Sequence, residues 1–289
     1  MLGAALCKHL SSDPALQIMG LMRGDPLVSS IRDIVPRANI FPIIGDVDHL
    51  EDERLLEILS DFSPDAIVNC IGWRQQPKCP GQSVKLIVAN ALWPHRLALL
   101  ADQIGARLIH FSSDAVFSGS RGQYREDDPP DPVDVYGISK LLGEPREPHC
   151  LILRTSLIGH ASPDSDQLVD WLLRQKGCVN GYEKAVFSGL PTVEIASIVR
   201  DIVLPQTKMA GIWHLAAAPI SKFELLRQIV ERYGIDLEVV PTAEPTIDRS
   251  LDASRFQEAT GYCAPSWPEL IDRMFKFRNR PTRSKSNGA

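Results

Sequence analysis

The feature that most constrains the fold of this chain is an alternation of short apolar segments and longer helical patterns in its first two-thirds. The apolar segments are bounded by turn residues and show no polar face, as expected of strands that helices cover on both sides. They span residues 16–22, 38–44, 65–72, 106–113 and 150–156. Helical patterns lie between them at 51–62, 82–104 and 134–147. We therefore predict an α/β fold with a doubly wound parallel sheet and right-handed crossovers.

The pattern changes after residue 160, where helices alternate with isolated short strands such as 211–218 and 237–241. This change indicates a smaller α+β lobe that is woven onto the first domain. We predict a first domain at 1–156, a smaller lobe at 157–277 and a basic, polar tail at 278–289. We expect that tail to be disordered and to carry no function.

Composition excludes several classes of protein. The net charge of −5 gives no reason to expect nucleic acid or an anionic membrane as a partner. No apolar run approaches the roughly 18 residues that a membrane-spanning helix needs. The six cysteines are scattered, with no pair at metal-ligand spacing, so we predict no metal site and reduced thiols in a cytoplasmic protein.

The start of the sequence differs from what a doubly wound nucleotide-binding domain requires. Such a domain opens with a strand, a glycine-rich turn and a helix. Here residues 1–10, MLGAALCKHL, already read as the helix, and Gly3 would match only the last glycine of such a turn. We expect the complete pattern to begin about ten residues earlier, with the first strand and the turn.

A tyrosine and a lysine stand four positions apart in the segment DVYGISK, residues 134–140. On a helix, positions i and i+4 lie on one face, so the Tyr136 phenol and the Lys140 ammonium would share the same space. The pair alone is a weak signal, because this spacing also arises by chance. Its meaning depends on the residues around it.

Those surrounding residues carry a resemblance to a known family. Residues 108–144, LIHFSSDAVFSGSRGQYREDDPPDPVDVYGISKLLGE, resemble the extended short-chain dehydrogenase/reductases, and most closely the dTDP-4-dehydrorhamnose reductase group. Further segments follow in the family's order at plausible spacings: GDVDH (45–49), VNCIG (68–72), VANALWPHRLA (88–98), LRTSLIG (153–159), GLPTVEIA (189–196) and SLDASRF (250–256). The resemblance implies a Rossmann-type fold, with an NADP-binding domain at 1–156 and a substrate-binding lobe at 157–277.

The resemblance also implies a catalytic set of Ser113, Tyr136 and Lys140. Reduction of a ketone places negative charge on its oxygen, which must then be protonated. Free tyrosine, with a pKa near 10, is a poor proton donor at neutral pH, and a neighbouring lysine lowers that pKa. Because side chains alternate along a strand, Ser113 should face the site and Ser112 the opposite side.

Cofactor contacts follow from the same resemblance. Arg23 stands 20 residues after Gly3, where a basic side chain favours the 2′-phosphate of NADP over the free ribose of NAD. We therefore expect NADPH, with NAD as the alternative. The implied cofactor-binding residues are Leu2, Gly3, Arg23, Asp46, Val47, Cys70, Ile71, Gly72, Asn90, Tyr136 and Lys140.

The substrate implied is a nucleotide-linked deoxysugar whose 4-keto group is reduced for surface polysaccharide synthesis. It would bind between the lobes, against Trp73, Asp114, Ala115 and Leu157. Ala115 replaces the family's usual tyrosine and Leu157 its frequent tryptophan, so the sugar itself stays open. Two alternatives also stay open: an epimerase or dehydratase that holds NAD tightly, and a catalytically silent regulatory subunit like that of methionine adenosyltransferase. A homodimer is a further expectation.

Overall fold

The computed structural model describes residues 1–22, 40–44, 50–74, 82–161 and 165–278. Its centre is a four-stranded parallel sheet in the order β10-β5-β4-β3, formed by β3 (Ala66–Asn69), β4 (Arg107–Phe111), β5 (Cys150–Arg154) and β10 (Gly211–His214). A second parallel pair joins β1 (Ile18–Met22) to β2 (Ile40–Ile44). All five strands predicted in the first two-thirds are present, and the predicted Rossmann-type α/β fold is confirmed.

Alternate residues of the central strands enter two apolar layers, as the absence of a polar face predicts. Ile109, Phe111, Leu151 and Leu153 belong to one buried cluster, whereas Leu108, Cys150 and Ile152 belong to the other. The sheet is thus covered on both faces. This alternation decides which side chains of β4 reach which helix.

The helices of the first domain occupy the predicted places. They are α1 (Leu2–Leu10), α2 (Asp52–Phe62), α3 (Gln82–Leu86), α4 (Trp93–Gln103) and α5 (Val135–Leu142). A π-helical turn, Ile87–Leu92, joins α3 to α4 into one continuous helix. The prediction that α5 continues to residue 147 is wrong: the helix stops before Gly143, whose Cα lies so close to the Asn90 carbonyl that a Cβ would overlap it.

The second lobe contains short strands and helices. Its strands are β6 (Leu157–Ile158), β7 (Gly177–Tyr182), β8 (Ala185–Phe187), β9 (Leu190–Pro191), β11 (Ile220–Ser221), β12 (Leu237–Thr242) and β13 (Ile247–Asp248). Its helices are α6 (Leu168–Leu173), α7 (Thr192–Ile198), α8 (Lys222–Tyr233), α9 (Ser254–Thr260) and α10 (Trp267–Arg278). The predicted strand at 211–218 forms β10 of the central sheet, so the chain returns to the first domain within the range given to the lobe. Within the described ranges, no helix combines the length and apolar character needed to cross a membrane.

Candidate active site

The candidate site begins where β4 ends. Ser113 has an extended backbone and caps the short 3-10 turn Asp114–Val116, its Oγ accepting a hydrogen bond from the Ala115 amide at 3.1 Å. Ser112 points to the opposite side, where its hydroxyl donates to Glu144 at 2.6 Å. The strand alternation therefore separates the two serines in the predicted way.

Helix α5 brings Tyr136 to Ser113. The helix begins at a cap in which the Asp134 carboxylate accepts from the Gly137 amide at 2.7 Å. Gly137 lies against the carbonyl of Ala115, so closely that a Cβ there would overlap the oxygen. This contact presses the helix onto the 3-10 turn and places the Tyr136 phenol near enough to Ser113 for the serine hydroxyl to act on its pKa.

Burial raises the pKa of Tyr136 above its ordinary value, the Ser113 hydroxyl partly offsets this rise, and the negative charge of Asp114 adds to it. The phenol therefore carries its proton at neutral pH. Burial also raises the pKa of Asp114, while the Ser113 hydroxyl donates to its Oδ1 at 3.0 Å.

Lys140 lies one turn further along the same helix face but points to the strand. Its side chain is buried, and Nζ donates to the Phe111 carbonyl at 2.7 Å. Burial lowers the pKa of Lys140 to about 8, and the charge of Glu144 opposes that effect. The predicted lowering of the Tyr136 pKa by Lys140 is not observed, because burial dominates at Tyr136 and the ammonium group is turned toward β4.

Asn90 braces the site, as the resemblance implies. It is fully buried in the π-helical turn, where its Oδ1 accepts from the Trp73 amide at 2.7 Å. Its Nδ2 donates to the Trp73 carbonyl at 2.8 Å and to Ser139 Oγ at 3.0 Å. The side chain therefore ties the segment after β3 to helix α5, and π-helical turns of this kind are frequent at functional sites.

Besides Asn90, Tyr136 and Lys140, the predicted cofactor residues that the structure describes lie at the start of α1 and just after β3. Gly3, in the first turn of α1, packs against Cys70, whose thiol has its pKa raised by burial to about 12. Ile71 and Gly72 continue from that strand end. The Leu2 side chain enters the apolar core, so only its backbone can face a ligand. Arg23, Asp46 and Val47 lie outside the described residues.

The four predicted substrate residues differ in their surroundings. Trp73 is held through its backbone by Asn90, and Lys85 Nζ lies 5.0 Å from the centroid of its ring. Asp114 is close to two cations, Lys222 and Arg249, which act on its pKa. Ala115 is buried under Gly137, and Leu157 packs against the core.

Sequence reasoning missed several polar residues at this site. They are Asn69, His110, Glu144, Arg154, Lys222 and Arg249. His110 and Arg154 stand inside apolar strand segments, and Lys222 and Arg249 come from the second lobe. A local pattern gives no sign of such long-range contacts, although the polar residues at 110 and 154 interrupt apolar runs.

Comparison with known proteins agrees with this geometry. The family model for the RmlD substrate binding domain matches residues 1–277. A spore coat polysaccharide biosynthesis protein of Bacillus subtilis is 30% identical over 232 residues, which cover 75% of this chain and 81% of that protein. A dTDP-4-dehydrorhamnose reductase of Shigella flexneri is 26% identical over 288 residues, 84% and 91% of the two chains.

Two further relatives bear on function. A probable low-salt glycan biosynthesis reductase of Haloferax volcanii is 35% identical over 131 residues, only 44% of either chain. Methionine adenosyltransferase 2 subunit beta of Xenopus tropicalis is 25% identical over 267 residues, 78% of this chain and 77% of that one. The relatives thus include named reductases and a subunit of a different enzyme.

Solved structures show the same fold. A hypothetical dTDP-4-dehydrorhamnose reductase from Sulfolobus tokodaii superimposes with a TM-score of 0.75 at 25% identity, over 94% of this chain and 95% of that one. A dTDP-4-dehydrorhamnose reductase from Bacillus anthracis in complex with NADP gives a TM-score of 0.73 at 19% identity, over 91% and 100%. With the family model matching nearly the whole described chain, the protein belongs to the RmlD-like extended short-chain dehydrogenase/reductases.

Proposed function

We propose that this protein is a cytoplasmic reductase that uses NADPH to reduce the 4-keto group of a nucleotide-linked deoxysugar for surface polysaccharide synthesis. The observation that carries the proposal is the placing of Tyr136, on α5, beside Ser113 at the carboxyl end of β4, where the serine hydroxyl acts on the pKa of the phenol. Lys140 on the next turn completes the set. The named reductases among the relatives support the same class of reaction.

The described residues fit a dinucleotide at the start of α1. The N-cap residue Met1 supplies no side-chain hydrogen bond, so no side chain caps the first amide groups of the helix, which could donate to an anionic group. Gly3 keeps this helix end close to Cys70 and the end of β3. We propose that these residues, with Ile71 and Gly72, bind NADPH, which would supply the hydride.

The protein's own part in the reaction is to protonate and orient. A ketone oxygen that gains charge requires a proton donor, and the Tyr136 phenol retains its proton at neutral pH because burial raises its pKa. Ser113 would donate to the same oxygen, after its hydroxyl turns away from Asp114, which now accepts from it at 3.0 Å. Tyr136 thus acts as the acid and Ser113 as the orienting donor.

The sugar nucleotide would lie beside the cations of the second lobe. Lys222, at the start of α8, is half-buried, and Asp114 and Lys222 each act on the other's pKa. Arg249 also acts on Asp114. A half-buried lysine and an arginine at the junction of the lobes are suited to a diphosphate. We propose accordingly that residues 1–156 bind the cofactor and 157–277 the substrate, apart from β10.

Tyr136→Phe tests the proposal. This variant removes only the acidic hydroxyl, so kcat should fall by roughly 10²–10⁴ while NADPH affinity changes little. Steady-state rates on a panel of nucleotide-linked 4-keto sugars and NADPH titration by fluorescence give the two quantities. Tyr182→Phe, on the exposed strand β7, is the matched control and should turn over normally. Turnover near that of the wild type in Tyr136→Phe would refute the assignment.

A second candidate is a regulatory subunit without reductase activity, which the similarity to methionine adenosyltransferase 2 subunit beta favours. The same panel separates the two. A regulatory subunit would bind the dinucleotide without consuming it on any sugar, and Tyr136→Phe would then change nothing that can be measured.

A further inference from the structure

Behind the catalytic helix lie two buried polar side chains, Asn69 and His110, that the proposed reaction does not use. Asn69 ends β3, His110 is the next-to-last residue of β4, and Lys140 reaches them from α5. The three are 2%, 0% and 4% exposed. In each of their hydrogen bonds the donor and the acceptor can be identified, and this assignment indicates which charge state of Lys140 fits the site.

The direction is set by a backbone amide. The Ile71 N–H can only donate, and it donates to Asn69 Oδ1 at 3.1 Å. The other end of the Asn69 amide is therefore its NH₂ group, which lies 2.9 Å from His110 Nδ1. The Asn69 NH₂ group can only donate a hydrogen bond, so His110 Nδ1 must be the acceptor and carries no proton. The proton of the neutral imidazole is then on Nε2.

Nε2 faces Lys140. The two nitrogens are 3.5 Å apart, at the outer limit for a hydrogen bond, and Nζ donates to the Phe111 carbonyl at 2.7 Å. An ammonium group has no lone pair, so its N–H groups and the Nε2–H of His110 would be two donors facing each other without an acceptor. A neutral amine can accept from Nε2–H and still donate to the carbonyl.

We propose that His110, oriented by Asn69, is a positioning residue that stabilises the neutral amine of Lys140 and so sets the pH at which this lysine changes its charge. The proposal rests on the proposed function only in giving Lys140 a catalytic role. The charge of Lys140 itself can be measured in the protein without cofactor or substrate.

Other groups around Lys140 do not reverse this arrangement. Those that act on the pKa of Lys140 or of His110 are Cys70 after β3, His95 on α4 and Glu144 beyond α5. The Glu144 carboxylate is already paired with Arg154. Cys70 remains a neutral thiol, because burial raises its pKa to about 12.

Two pKa directions agree with the geometry. Burial lowers the pKa of Lys140 to about 8. Burial, followed by the charge of Lys140, holds the pKa of His110 well below its ordinary value, so the ring does not become a cation near neutral pH. Lysine therefore loses its charge within a pH range where the enzyme would work.

The test is an NMR titration that needs neither cofactor nor substrate, so it is independent of whether the reductase function holds. Lysine labelled with ¹³C at Cε gives one signal per residue, and Lys140→Met assigns the one in question. Histidine labelled with ¹⁵N reports the tautomer of His110 in the wild type. We expect an Nε2–H tautomer and a Lys140 midpoint near pH 8.

Two variants replace the donor that faces Lys140 by an acceptor, and a third variant serves as the control. His110→Gln can turn a carbonyl oxygen toward Lys140, and Asn69→Asp accepts from Nδ1–H so that Nε2 becomes the acceptor. Both should raise the midpoint by about one unit or more, because the ammonium gains a partner. His95→Gln removes a neighbouring imidazole that bonds to the Leu142 carbonyl and should leave the midpoint unchanged.

Three results would overturn the proposal. The first is a wild-type midpoint near the ordinary lysine value of about 10.4. The second is an Nδ1–H tautomer or a doubly protonated ring at His110 in the wild type. The third is an unchanged midpoint in folded His110→Gln, which would mean that burial alone sets the charge of Lys140.

Discussion

Replacing Glu144 by glutamine should destabilise the protein far more than the loss of an ordinary ion pair. Arg154 at the end of β5 donates to both oxygens of Glu144, Nε at 2.9 Å and Nη2 at 2.8 Å. Ser112 donates to the same carboxylate at 2.6 Å. Both side chains of the ion pair are 1% exposed. The network joins the ends of β4 and β5 to the segment after α5, which are the elements that carry Ser113 and Tyr136.

The magnitude follows from burial. Taking an ion from water into a protein interior costs several kcal/mol, and a partner charge compensates that cost. Glu144→Gln keeps the shape of the side chain but leaves the Arg154 guanidinium without its counter-charge, and Nη1 of Arg154 already makes no hydrogen bond. We expect a loss of about 3–5 kcal/mol in the free energy of unfolding.

Chemical denaturation followed by circular dichroism measures that loss. Glu57→Gln is the control, because Glu57 pairs with Arg54 at 2.9 Å while both side chains are 65% exposed. Such a pair contributes about 0.3–0.5 kcal/mol. Adding Arg154→Met to Glu144→Gln removes the uncompensated charge, so the double variant should lose less than the two single variants together. A loss below about 1 kcal/mol in Glu144→Gln would refute the reasoning.

Three further outcomes are expected. Lys140→Met should be more stable than the wild type below pH 8, and this advantage should disappear toward pH 10.5. The reason is that the unfolded lysine keeps its proton across that range, whereas the folded one does not. Thermal melts at pH 7.5 and 10 compare the two proteins, and a difference that stays constant would contradict the pKa assignment. NADPH should bind more tightly than NADH, and Arg23→Asp should remove the preference; equal affinities in the wild type would make Arg23 an ordinary surface charge. We also propose that the apolar faces of α4 and α5, where Leu99 and Leu142 are 62% and 60% exposed, pair in a homodimer. Leu99→Lys should then halve the mass measured by light scattering. A wild-type protein with the mass of a monomer would exclude this dimer.

Most of the fold was predictable because the strands of a covered parallel sheet are apolar on both faces and are separated by helices. Prediction failed at two places, for different reasons. Helix α5 ends at Leu142, and the Gly143 that follows it and Pro145 form a local stop signal that the predicted range 134–147 overlooked. The strand Gly211–His214 returns to the central sheet beside β5 although it follows many residues of the second lobe. That return has no local signature.

The candidate site divides in the same way. Ser113 and Tyr136 were identified from one continuous segment, and the structure brings them near enough for Ser113 to act on the pKa of Tyr136. Their catalytic role stays a prediction. The polar chain through Asn69 and His110 could not be predicted, because its members come from different strands and each looks like an exception within an apolar run. The lysine's orientation toward the Phe111 carbonyl is likewise a product of packing.

The two departures from the family's aromatic pattern also have a structural meaning. Ala115 is buried and its carbonyl lies against Gly137, whereas Leu157 packs against the core. Neither side chain therefore offers a flat surface to a sugar. Of the four residues proposed for the substrate, Trp73 alone has a ring. Asn90 bonds to both its amide and its carbonyl, which fixes the backbone that carries the indole. Because both aromatic platforms at 115 and 157 are absent, we expect the sugar to be held mainly through polar contacts near Asp114. We also expect its identity to differ from that of relatives that keep the aromatic pair.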